Sequence, residues 1–316
     1  MGENRSLNKK RIALLAGGWS LEREVSLESG NAVFAALDKE MYDVCRYDPR
    51  TELQALAGDK EHIDLALILL HGKYGEDGRI QGLLDILDIP YMGSGVLSSA
   101  ISLNKKVAKE IYVHAGLNVA RDVTVNRDDG FSIEETWEAL GPATVVKPVS
   151  EGSSLGMSVC RTIEEFVEGI HGAFRYDRDV LIEECIDGRE ITCCVLGNRD
   201  IETLPLVEIV PGDEHGFFDY KAKYTPGGAR EICPAHISPV LAGQVRAYAK
   251  LAHQALRCSV WSRTDMIIRD ESVYVLETNT IPGMTENSLF PLAARTAGLS
   301  LSALLNRLIS LSLETR

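Results

Sequence analysis

The stretch from Arg263 to Leu289 constrains the fold more than any other part of this sequence. It is R-T-D-M-I-I-R-D-E-S-V-Y-V-L-E-T-N-T-I-P-G-M-T-E-N-S-L. Its apolar residues alternate with the others at Met266, Ile268, Tyr274 and Leu276. Because a period of two is typical of half-buried strands, the stretch is predicted to form two antiparallel strands. A turn of about three residues, around Asp270–Ser272, is expected to join them.

This turn places Asp265 opposite Glu277 and Arg263 opposite Asn279. All four positions share parity, so their side chains point to one face. Two carboxylates and an amide oxygen suit a hard divalent cation such as Mg²⁺, and the neighbouring arginine can stabilise an anion beside it. The alternative is a hairpin whose charges pair across the strands on a solvated face. The loop that follows, Pro282-Gly283-Met284-Thr285, favours the metal site because it can expose backbone N–H groups there.

Composition and charge exclude several classes of function. A chain of 316 residues is long enough for two or three domains with substantial cores. The formal net charge of −13 argues against general binding of nucleic acid, but a local pocket of lysines and arginines can still hold an anion. No apolar run reaches 18 residues, so no membrane partner is expected. Seven cysteines without C-x-x-C spacing indicate reduced, buried thiols in a cytoplasmic protein.

The first part of the chain has the pattern of a doubly wound α/β unit. A short buried strand, Arg11–Ala16, runs into Gly17-Gly18 and then into a helix. The full G-x-G-x-x-G is missing, so dinucleotide binding is only weakly indicated. A second buried strand, Asp64–Leu70, ends at His71. Loops at the carboxyl ends of parallel strands face the ligand crevice, so Glu22 and His71 are expected beside a substrate; Glu22 could equally complement the helix dipole.

The middle of the chain carries the pattern of a phosphate site. One helix, from about Val96 to Ala115, is predicted to carry Lys105, and a strand at Thr144–Pro148 carries Lys147. The loop after this strand, S-E-G-S-S-L-G at 150–156, is small and flexible enough to close over phosphate oxygens. It is not a Walker loop, because G-x-x-x-x-G-K-[ST] does not occur.

The C-terminal part is predicted to be mainly β, with helices at 238–256, 290–297 and 301–311. A strand at 179–186, containing Glu183, precedes it. A long polar segment, 211–229, contains D-Y-K-A-K-Y at 219–224. Loops of that length in a compact domain are usually functional, and Lys223 and Tyr224 favour a functional loop here.

These features have one chemistry in common. Together they predict a binding site for a nucleoside triphosphate. The features that predict it are the phosphate loop, the two lysines, the metal hairpin with its arginine, and the long polar loop. The nucleotide is expected to lie between two β-rich units, with Mg²⁺ bridging its phosphates.

The same residues, with several others, resemble the D-alanine–D-alanine ligases, which are ATP-grasp enzymes. The matching motifs are G-G-x-S-x-E-R-E-V-S at 17–26, H-G-x-x-G-E-D-G-x-x-Q-G at 71–82, G-S-G-V at 93–96, E-G-S-S-L-G at 151–156, D-Y-K-A-K-Y at 219–224, R-T-D at 263–265 and E-T-N-T-I-P-G-M-T at 277–285. The resemblance covers the chain from Lys10 onward, and the set is far more specific than any single motif.

The resemblance implies an α/β fold that is α+β in its C-terminal part. A Rossmann-like parallel-sheet domain at 1–103 is expected to precede an ATP-grasp fold of two subdomains, 104–187 and 188–316, the second carrying the metal site and a lid at 211–229. The implied activity is ATP-dependent ligation of two D-alanines through an acyl phosphate, for peptidoglycan precursor synthesis. ATP and D-alanine are then the substrates, two Mg²⁺ ions (or Mn²⁺) the metals, and a cytoplasmic homodimer the expected form.

The resemblance also implies which residues act on the substrates. Glu22 is expected to hold the ammonium group of the first D-alanine, in a network with Ser153 and Tyr224. Arg263 and the Gly283 N–H form the oxyanion site. His71 is expected to lie near the substrates. The carboxylate of the second D-alanine, or the phosphate that is transferred, is expected to contact Lys223, Ser288 and the Leu289 N–H.

The nucleotide and metal ligands are implied in the same way. Lys105 and Lys147 face the phosphates. Adenosine is expected beside Glu183, Glu184 and Glu190, and the two Mg²⁺ ions beside Asp265, Glu277 and Asn279. Singly, Ser153 could be a turn residue, His71 a structural histidine and Lys105 a solvated charge.

The sequence departs from the family pattern at three places. Asn104 stands where an Asp usually precedes the first phosphate lysine, Ser259-Val260-Trp261 replaces a more Gly-rich approach to Arg263, and Glu184-Cys185 stands where a Lys and an aromatic residue are common. The rival activity is that of a D-alanine–D-lactate or other carboxylate–amine ligase, against which Tyr224 argues. Outside the enzymes, the alternative is a non-catalytic nucleotide-binding regulator.

Overall fold

The computed structural model describes residues 9–212 and 229–314. Lys223, Tyr224 and nearly all of the predicted lid at 211–229 therefore lie outside the described residues. The strands of the described part form three sheets, and helices pack against them. The domain limits at 103 and 187 stay predictions.

The first sheet is parallel, with three strands in the order β2-β1-β3. They are β1 (Lys10–Leu15), β2 (Tyr42–Tyr47) and β3 (Leu65–Ile68). The accompanying helices are α1 (Arg23–Ala36), α2 (Pro49–Gly58), α3 (Arg79–Ile86) and α4 (Val96–Leu103). The predicted strand–turn–helix pattern is confirmed, although α2 was not foreseen.

A buried serine joins the ends of β1 and β3. Ser26 Oγ accepts a hydrogen bond from the Gly17 N–H at 2.8 Å and donates one to the Leu69 carbonyl at 2.6 Å. Because β1 and β3 are parallel neighbours, the loops that carry Glu22 and His71 leave the same edge of the sheet.

The second sheet is antiparallel, in the order β4-β7-β5-β6. Its strands are β4 (Asp122–Asn126), β5 (Thr144–Pro148), β6 (Ser158–Cys160) and β7 (Asp179–Glu184). Helices α6 (Ile133–Leu140) and α7 (Ile163–Ala173) cover it, and Val146, Phe166 and Ile182 are fully buried in the core between them. The strand predicted at 144–148 is confirmed, whereas β4 and α6 were missed.

The single helix predicted from Val96 to Ala115 is wrong. Helix α4 stops before Asn104, whose φ of −79° and ψ of 99° are not helical, and α5 (Lys105–His114) starts after it. The Asn104 side-chain oxygen accepts a hydrogen bond from the Val107 N–H at 3.0 Å, as an N-cap residue does. One residue that departs from the family pattern thus caps a helix, and Lys105 is the first residue of that helix.

The third sheet has six strands, with the path β11-β10-β8-β12-β13 and β9 paired to β8. The strands are β8 (Arg189–Leu196), β9 (Glu202–Thr203), β10 (Val207–Pro211), β11 (Ala229–Ile232), β12 (Trp261–Arg269) and β13 (Ser272–Asn279). Helix α8 (Pro239–Ala255) packs on β8, β12 and β13.

The turn between β12 and β13 is shorter than predicted. Arg269 pairs with Ser272, so that only Asp270 and Glu271 form the turn. Their φ angles are both positive, 48° and 63°, which is the pattern of a type I′ hairpin. The expected turn of about three residues is therefore wrong.

The predicted register nevertheless holds. A bulge follows Asp265, where the pairing shifts by one residue and leaves Leu276 as the extra residue of β13. The extra residue in β13 compensates for the turn, which is one residue shorter than predicted. Asp265 therefore still pairs with Glu277, and Arg263 with Asn279.

The bulge also exchanges the faces of the apolar residues on β13. Val273 and Val275 pack in the core with Met266 and Ile268, whereas Tyr274 is only half-buried. The expectation that Tyr274 and Leu276 share the buried face with Met266 and Ile268 is wrong, because an extra residue reverses the alternation.

The two C-terminal helices return to the first sheet. In α9 (Leu289–Thr296) and α10 (Leu301–Glu314), Phe290 and Leu308 are buried in the same core as Leu14 of β1. In the described part of the chain, no single helix is long and apolar enough to cross a membrane. Helices α9 and α10 are long and apolar enough only when they are taken together, and the chain bends by 103° between them.

The type I′ turn yields a prediction about stability. Replacing Asp270-Glu271 by Asn-Gly puts at both left-handed positions a residue that tolerates a positive φ well, so we expect the free energy of unfolding to rise by about 0.5–1 kcal/mol. The control is Glu110→Gly on the exposed side of α5, which should lower it by about 1 kcal/mol. Urea denaturation measures both. A loss of stability in the Asn-Gly variant contradicts the turn assignment.

Candidate active site

A cleft lies between the second and third sheets. It has an apolar part that includes Val145, Met157, Ile186 and Leu276. Seven of the predicted site residues also line it: Lys105, Lys147, Glu183, Glu184, Glu190, Asp265 and Glu277. An apolar pocket with a few convergent polar groups is the usual form of a small-molecule site. The fold thus brings the predicted phosphate lysines and two of the predicted metal ligands to one cleft.

The two lysines are held in different ways. Lys105 begins α5, and its ammonium group donates to the Glu151 carbonyl in the loop after β5. Lys147 is buried on β5 and pairs with Glu183 of the neighbouring strand β7. Burial lowers the pKa of Lys147, but the charge of Glu183 and its hydrogen bond raise this pKa by more.

Glu183 has a second partner that the sequence did not reveal. The Lys109 ammonium donates to Glu183 at 2.6 Å, and the same ammonium lies 2.9 Å from Asp122. Burial raises the pKa of Glu183, but Lys147 and Lys109 together lower it to below its usual value. The only sequence signal for Lys109 is its position one helical turn after Lys105.

Glu184 and Glu190 line the cleft from neighbouring sheets, Glu184 from β7 and Glu190 from β8. The Glu184 carboxylate pairs with Arg121 at 2.9 Å, and the hydrogen bonds from Arg121 hold its pKa below the usual range against the effect of burial. The next residue, Cys185, donates its N–H to the Ala143 carbonyl at 2.9 Å. Glu190 lies on β8 and faces the cleft.

Arg263 and Asp265 form a bidentate ion pair along β12. Arginine Nε and a terminal nitrogen donate to the two carboxylate oxygens at 2.9 and 2.7 Å. The Thr192 hydroxyl donates to the same carboxylate. Burial lowers the pKa of Arg263, but Asp265 raises it by more, so the guanidinium stays charged. Asn279, opposite Arg263, accepts the Ile281 N–H at 2.9 Å through its side-chain oxygen.

The donor set of this hairpin fits Mg²⁺. The described residues contain no group of three or more His, Cys, Asp or Glu side chains arranged to hold a metal ion. Two carboxylates, Asp265 and Glu277, meet across the strands and both line the cleft. Mg²⁺ is commonly bound by one or two carboxylates together with phosphate oxygens of the substrate, so a third acidic ligand is not required. Asn279 could add an amide oxygen, because that atom has two lone pairs.

A second group of acidic residues lies at the edge of the first sheet. Glu22 is buried, and the Ser153 hydroxyl donates to its carboxylate across 131 positions of sequence. Glu76, for which the motif match had suggested no role, accepts the Gly72 N–H at 2.7 Å. Burial and the charge of Glu22 raise the pKa of Glu76 well above its usual value. A Cβ at Gly152 would stand 2.8 Å from a Glu22 oxygen, so the glycine permits this approach.

His71 is buried between this acidic group and the hairpin. Burial, and then the charge of Arg263, lower its pKa to about 4, although a hydrogen bond with the Ile281 backbone opposes them. Its Nε2 lies 3.5 Å from Ser29 Oγ, which in turn accepts the Met284 N–H at 3.3 Å. His71 is therefore a neutral imidazole at neutral pH and contacts the loop that follows β13.

Gly283, Ser288 and Leu289 meet at the start of α9. A Cβ at Gly283 would stand 2.8 Å from Ser288 Oγ, so the close approach of the two requires a glycine. Ser288 Oγ accepts the Thr285 N–H at 3.1 Å, and Leu289 is the first residue of the helix. The start of a helix presents backbone N–H groups to an anion. Lys223 and Tyr224 lie outside the described residues.

The sequence matches two family models. The model described as D-ala D-ala ligase C-terminus matches residues 111–310, and that described as D-ala D-ala ligase N-terminus matches residues 46–94. The D-alanine–D-alanine ligase of Syntrophobacter fumaroxidans is 54% identical over 309 residues, which are 98% of this chain and 99% of the relative. That of Desulfotalea psychrophila is 52% identical, over 99% of this chain and 98% of the relative.

The fold is also similar to a solved structure. The crystal structure of D-alanine–D-alanine ligase from Bacillus anthracis complexed with ATP matches with a TM-score of 0.86 and 34% identity, over 97% of this chain and 98% of that one. The predicted fold class, mixed α/β with a parallel first sheet, is thereby confirmed. The C-terminal family model alone spans well over half of the sequence. On these grounds, this chain belongs to the family of the D-alanine–D-alanine ligases.

Proposed function

We propose that this protein joins two D-alanines to D-alanyl-D-alanine while ATP is converted to ADP and phosphate, for peptidoglycan precursor synthesis. The observation that carries the proposal is the cleft, where Lys105 and Lys147 lie together with Asp265 and Glu277. Family membership supports the identity of the substrates. The seven free cysteines agree with a reducing, cytoplasmic setting, and the homodimer stays a prediction from the family resemblance.

ATP is proposed to bind along the cleft. Its adenosine lies beside Glu183, Glu184 and Glu190, next to the apolar lining, and its phosphates lie beside Lys105 and Lys147. The ATP complex of the similar Bacillus anthracis structure supports this nucleotide. Two Mg²⁺ ions, replaceable by Mn²⁺, are proposed beside Asp265, Glu277 and Asn279; when bound, they supply positive charge to the phosphate oxygens.

The first D-alanine is proposed to bind with its ammonium group at Glu22. Burial, and then the charge of Glu22, raise the pKa of Glu76, and an ammonium group would relieve the repulsion between the two carboxylates. Ser153 holds the Glu22 carboxylate in place, and Tyr224 is predicted to join this network. A carboxylate oxygen of the D-alanine then attacks the γ-phosphorus. A new O–P bond forms, the bond to the β,γ-bridging oxygen breaks, and ADP leaves.

The second D-alanine is proposed to place its carboxylate at the start of α9, where Ser288 and the Leu289 N–H lie, with Lys223 as a further predicted contact. Its free amine attacks the acyl carbon, and negative charge collects on the carbonyl oxygen. Arg263 and the Gly283 N–H are proposed to stabilise that charge. Phosphate leaves as the tetrahedral centre collapses. Neutral His71 lies nearby and adds no second positive charge to that of Arg263.

The proposal predicts the products of a direct assay. With ATP, Mg²⁺ and D-alanine, we expect D-alanyl-D-alanine and ADP in equal amounts, and ADP release that depends strictly on D-alanine. Supplying D-lactate as well, over pH 6–9, separates the two ligase activities. Dominant D-alanyl-D-lactate at neutral pH would overturn the dipeptide assignment. Binding of ATP with no release of ADP in the presence of D-alanine would favour the non-catalytic regulator, and ADP release without D-alanine would mean that ATP cleavage is not coupled to ligation.

The role of Glu22 predicts a selective kinetic defect. Glu22→Gln keeps the shape of the side chain but removes the charge that binds an ammonium group, so we expect kcat/KM for D-alanine to fall roughly 30-fold or more. The KM for ATP should change little. Glu24→Gln, two residues along and exposed, is the matched control and should behave as wild type. Equal losses for both substrates in Glu22→Gln count against the assignment.

The low pKa of His71 predicts how stability depends on pH. Its pKa of about 4 in the folded state lies below the usual value of 6.5, so the unfolded chain binds more protons between these pH values. The stabilising contribution is therefore present above pH 6.5 and is lost as the pH falls towards 4.

His71→Gln removes this titration. Between pH 7 and 4.5, we expect the variant to lose about 2 kcal/mol less unfolding free energy than wild type. Urea denaturation at the two pH values measures the difference, and His114→Gln, on the exposed side of α5, is the control. Parallel losses in wild type and His71→Gln would contradict a neutral buried His71.

A further inference from the structure

Lys109 is a buried lysine for which the proposed reaction has no role. It lies on α5, one turn after Lys105, and is 4% exposed. Its ammonium group contacts three oxygens: the Ala120 carbonyl at 2.7 Å, Asp122 at 2.9 Å and Glu183 at 2.6 Å. An ammonium group has three protons to donate, so all of them are used. Lys109 is therefore fixed in place and does not reach the cleft, which it does not line.

Glu183 is held from two sides. Lys109 contacts one of its carboxylate oxygens, and Lys147 contacts the other. Glu183 and Lys147 both line the cleft, whereas Lys109 stands behind them. With Asp122, the group contains two ammonium groups and two carboxylates, so its charges balance. A buried carboxylate needs such partners, because burial without them strongly disfavours its charge.

The binding of ATP changes this balance. The proposed function requires the Lys147 ammonium group to contact the phosphates, which draws it away from Glu183. Glu183 would then keep only Lys109 as a charged partner among the contacts described here. If Lys109 were absent, each nucleotide that took Lys147 would leave a buried carboxylate without a cation, and binding would be weaker.

We propose that Lys109 is a positioning residue for nucleotide binding: it holds the Glu183 carboxylate at the cleft while Lys147 passes from Glu183 to the phosphates of ATP. This inference rests on the proposed function. The two buried lysines then have different roles. Lys147 is the mobile partner that meets the substrate, and Lys109 is the permanent one that keeps Glu183 in position for adenosine.

The test compares Lys109→Met with Lys106→Met. Both remove one ammonium group from α5, but Lys106 is exposed and makes no contact with Glu183 in the described structure. For Lys109→Met we expect the KM for ATP, and the dissociation constant for ATP measured calorimetrically without D-alanine, to rise roughly tenfold or more. The KM for D-alanine should stay within about twofold, and Lys106→Met should match wild type on every measure.

A double variant separates positioning from a general loss of structure. Glu183→Gln removes the buried charge, so adding Lys109→Met to it should weaken ATP binding by less than about threefold. If Lys109→Met does not fold, Lys109→Arg keeps the charge and should bind ATP better than the folded double variant. Unchanged ATP binding in Lys109→Met overturns the proposal, as does a parallel rise of both KM values with a lower melting temperature. If wild type binds ATP but makes no dipeptide, the proposed function fails while the binding test of Lys109 still applies.

Discussion

The pairing of Asp265 with Glu277 across the hairpin depends on a single extra residue in β13. The two-residue turn alone would set β13 one position out of register and turn Glu277 away from Asp265. The bulge at Leu276 corrects the register and brings both carboxylates to the cleft. The proposed metal ligands and the proposed oxyanion arginine therefore share one backbone feature. The loop to Gly283 and the start of α9 follow directly from the same strand.

Buried charge is organised in the same manner throughout the site. Arg263 neutralises Asp265, and Lys109 and Lys147 neutralise Glu183. At Glu183, burial raises the pKa of the carboxylate, but the two lysines lower this pKa to below its usual value. The edge of the first sheet differs, because Glu22 and Glu76 bring two carboxylates together and the pKa of Glu76 rises. A cationic group of the substrate suits the acidic edge at Glu22 and Glu76. An anionic nucleotide with its metal suits the cleft, where the carboxylates are paired with cations.

The sequence predicted β1, β3, β5 and β7 to within two residues, and it predicted the pairing across the hairpin because alternation and parity report strand faces directly. The sequence-based prediction was wrong where a single residue sets the end of a helix or the register of a strand. Asn104 divides a continuous apolar pattern into two helices by capping the second, and Leu276 reverses the alternation of β13. For the candidate active site, the sequence predicted most of the charged residues that line the cleft. It missed Lys109 and assigned no role to Glu76, because helical and loop positions do not reveal which charges become buried together.

Taken alone, the sequence determined the residue types of the site, their order along the chain and the family, because motifs and period-two patterns are local properties of the chain. Only the tertiary structure decided which further charges become buried together. Lys109 meets Glu183 across 74 positions, and Glu76 lies close enough to Glu22 for the charge of Glu22 to raise its pKa. Such contacts form when separate elements close on a shared core, and burial then makes the charges depend on one another. For this reason the ionisation of Glu76, Glu183 and His71 is a property of the fold.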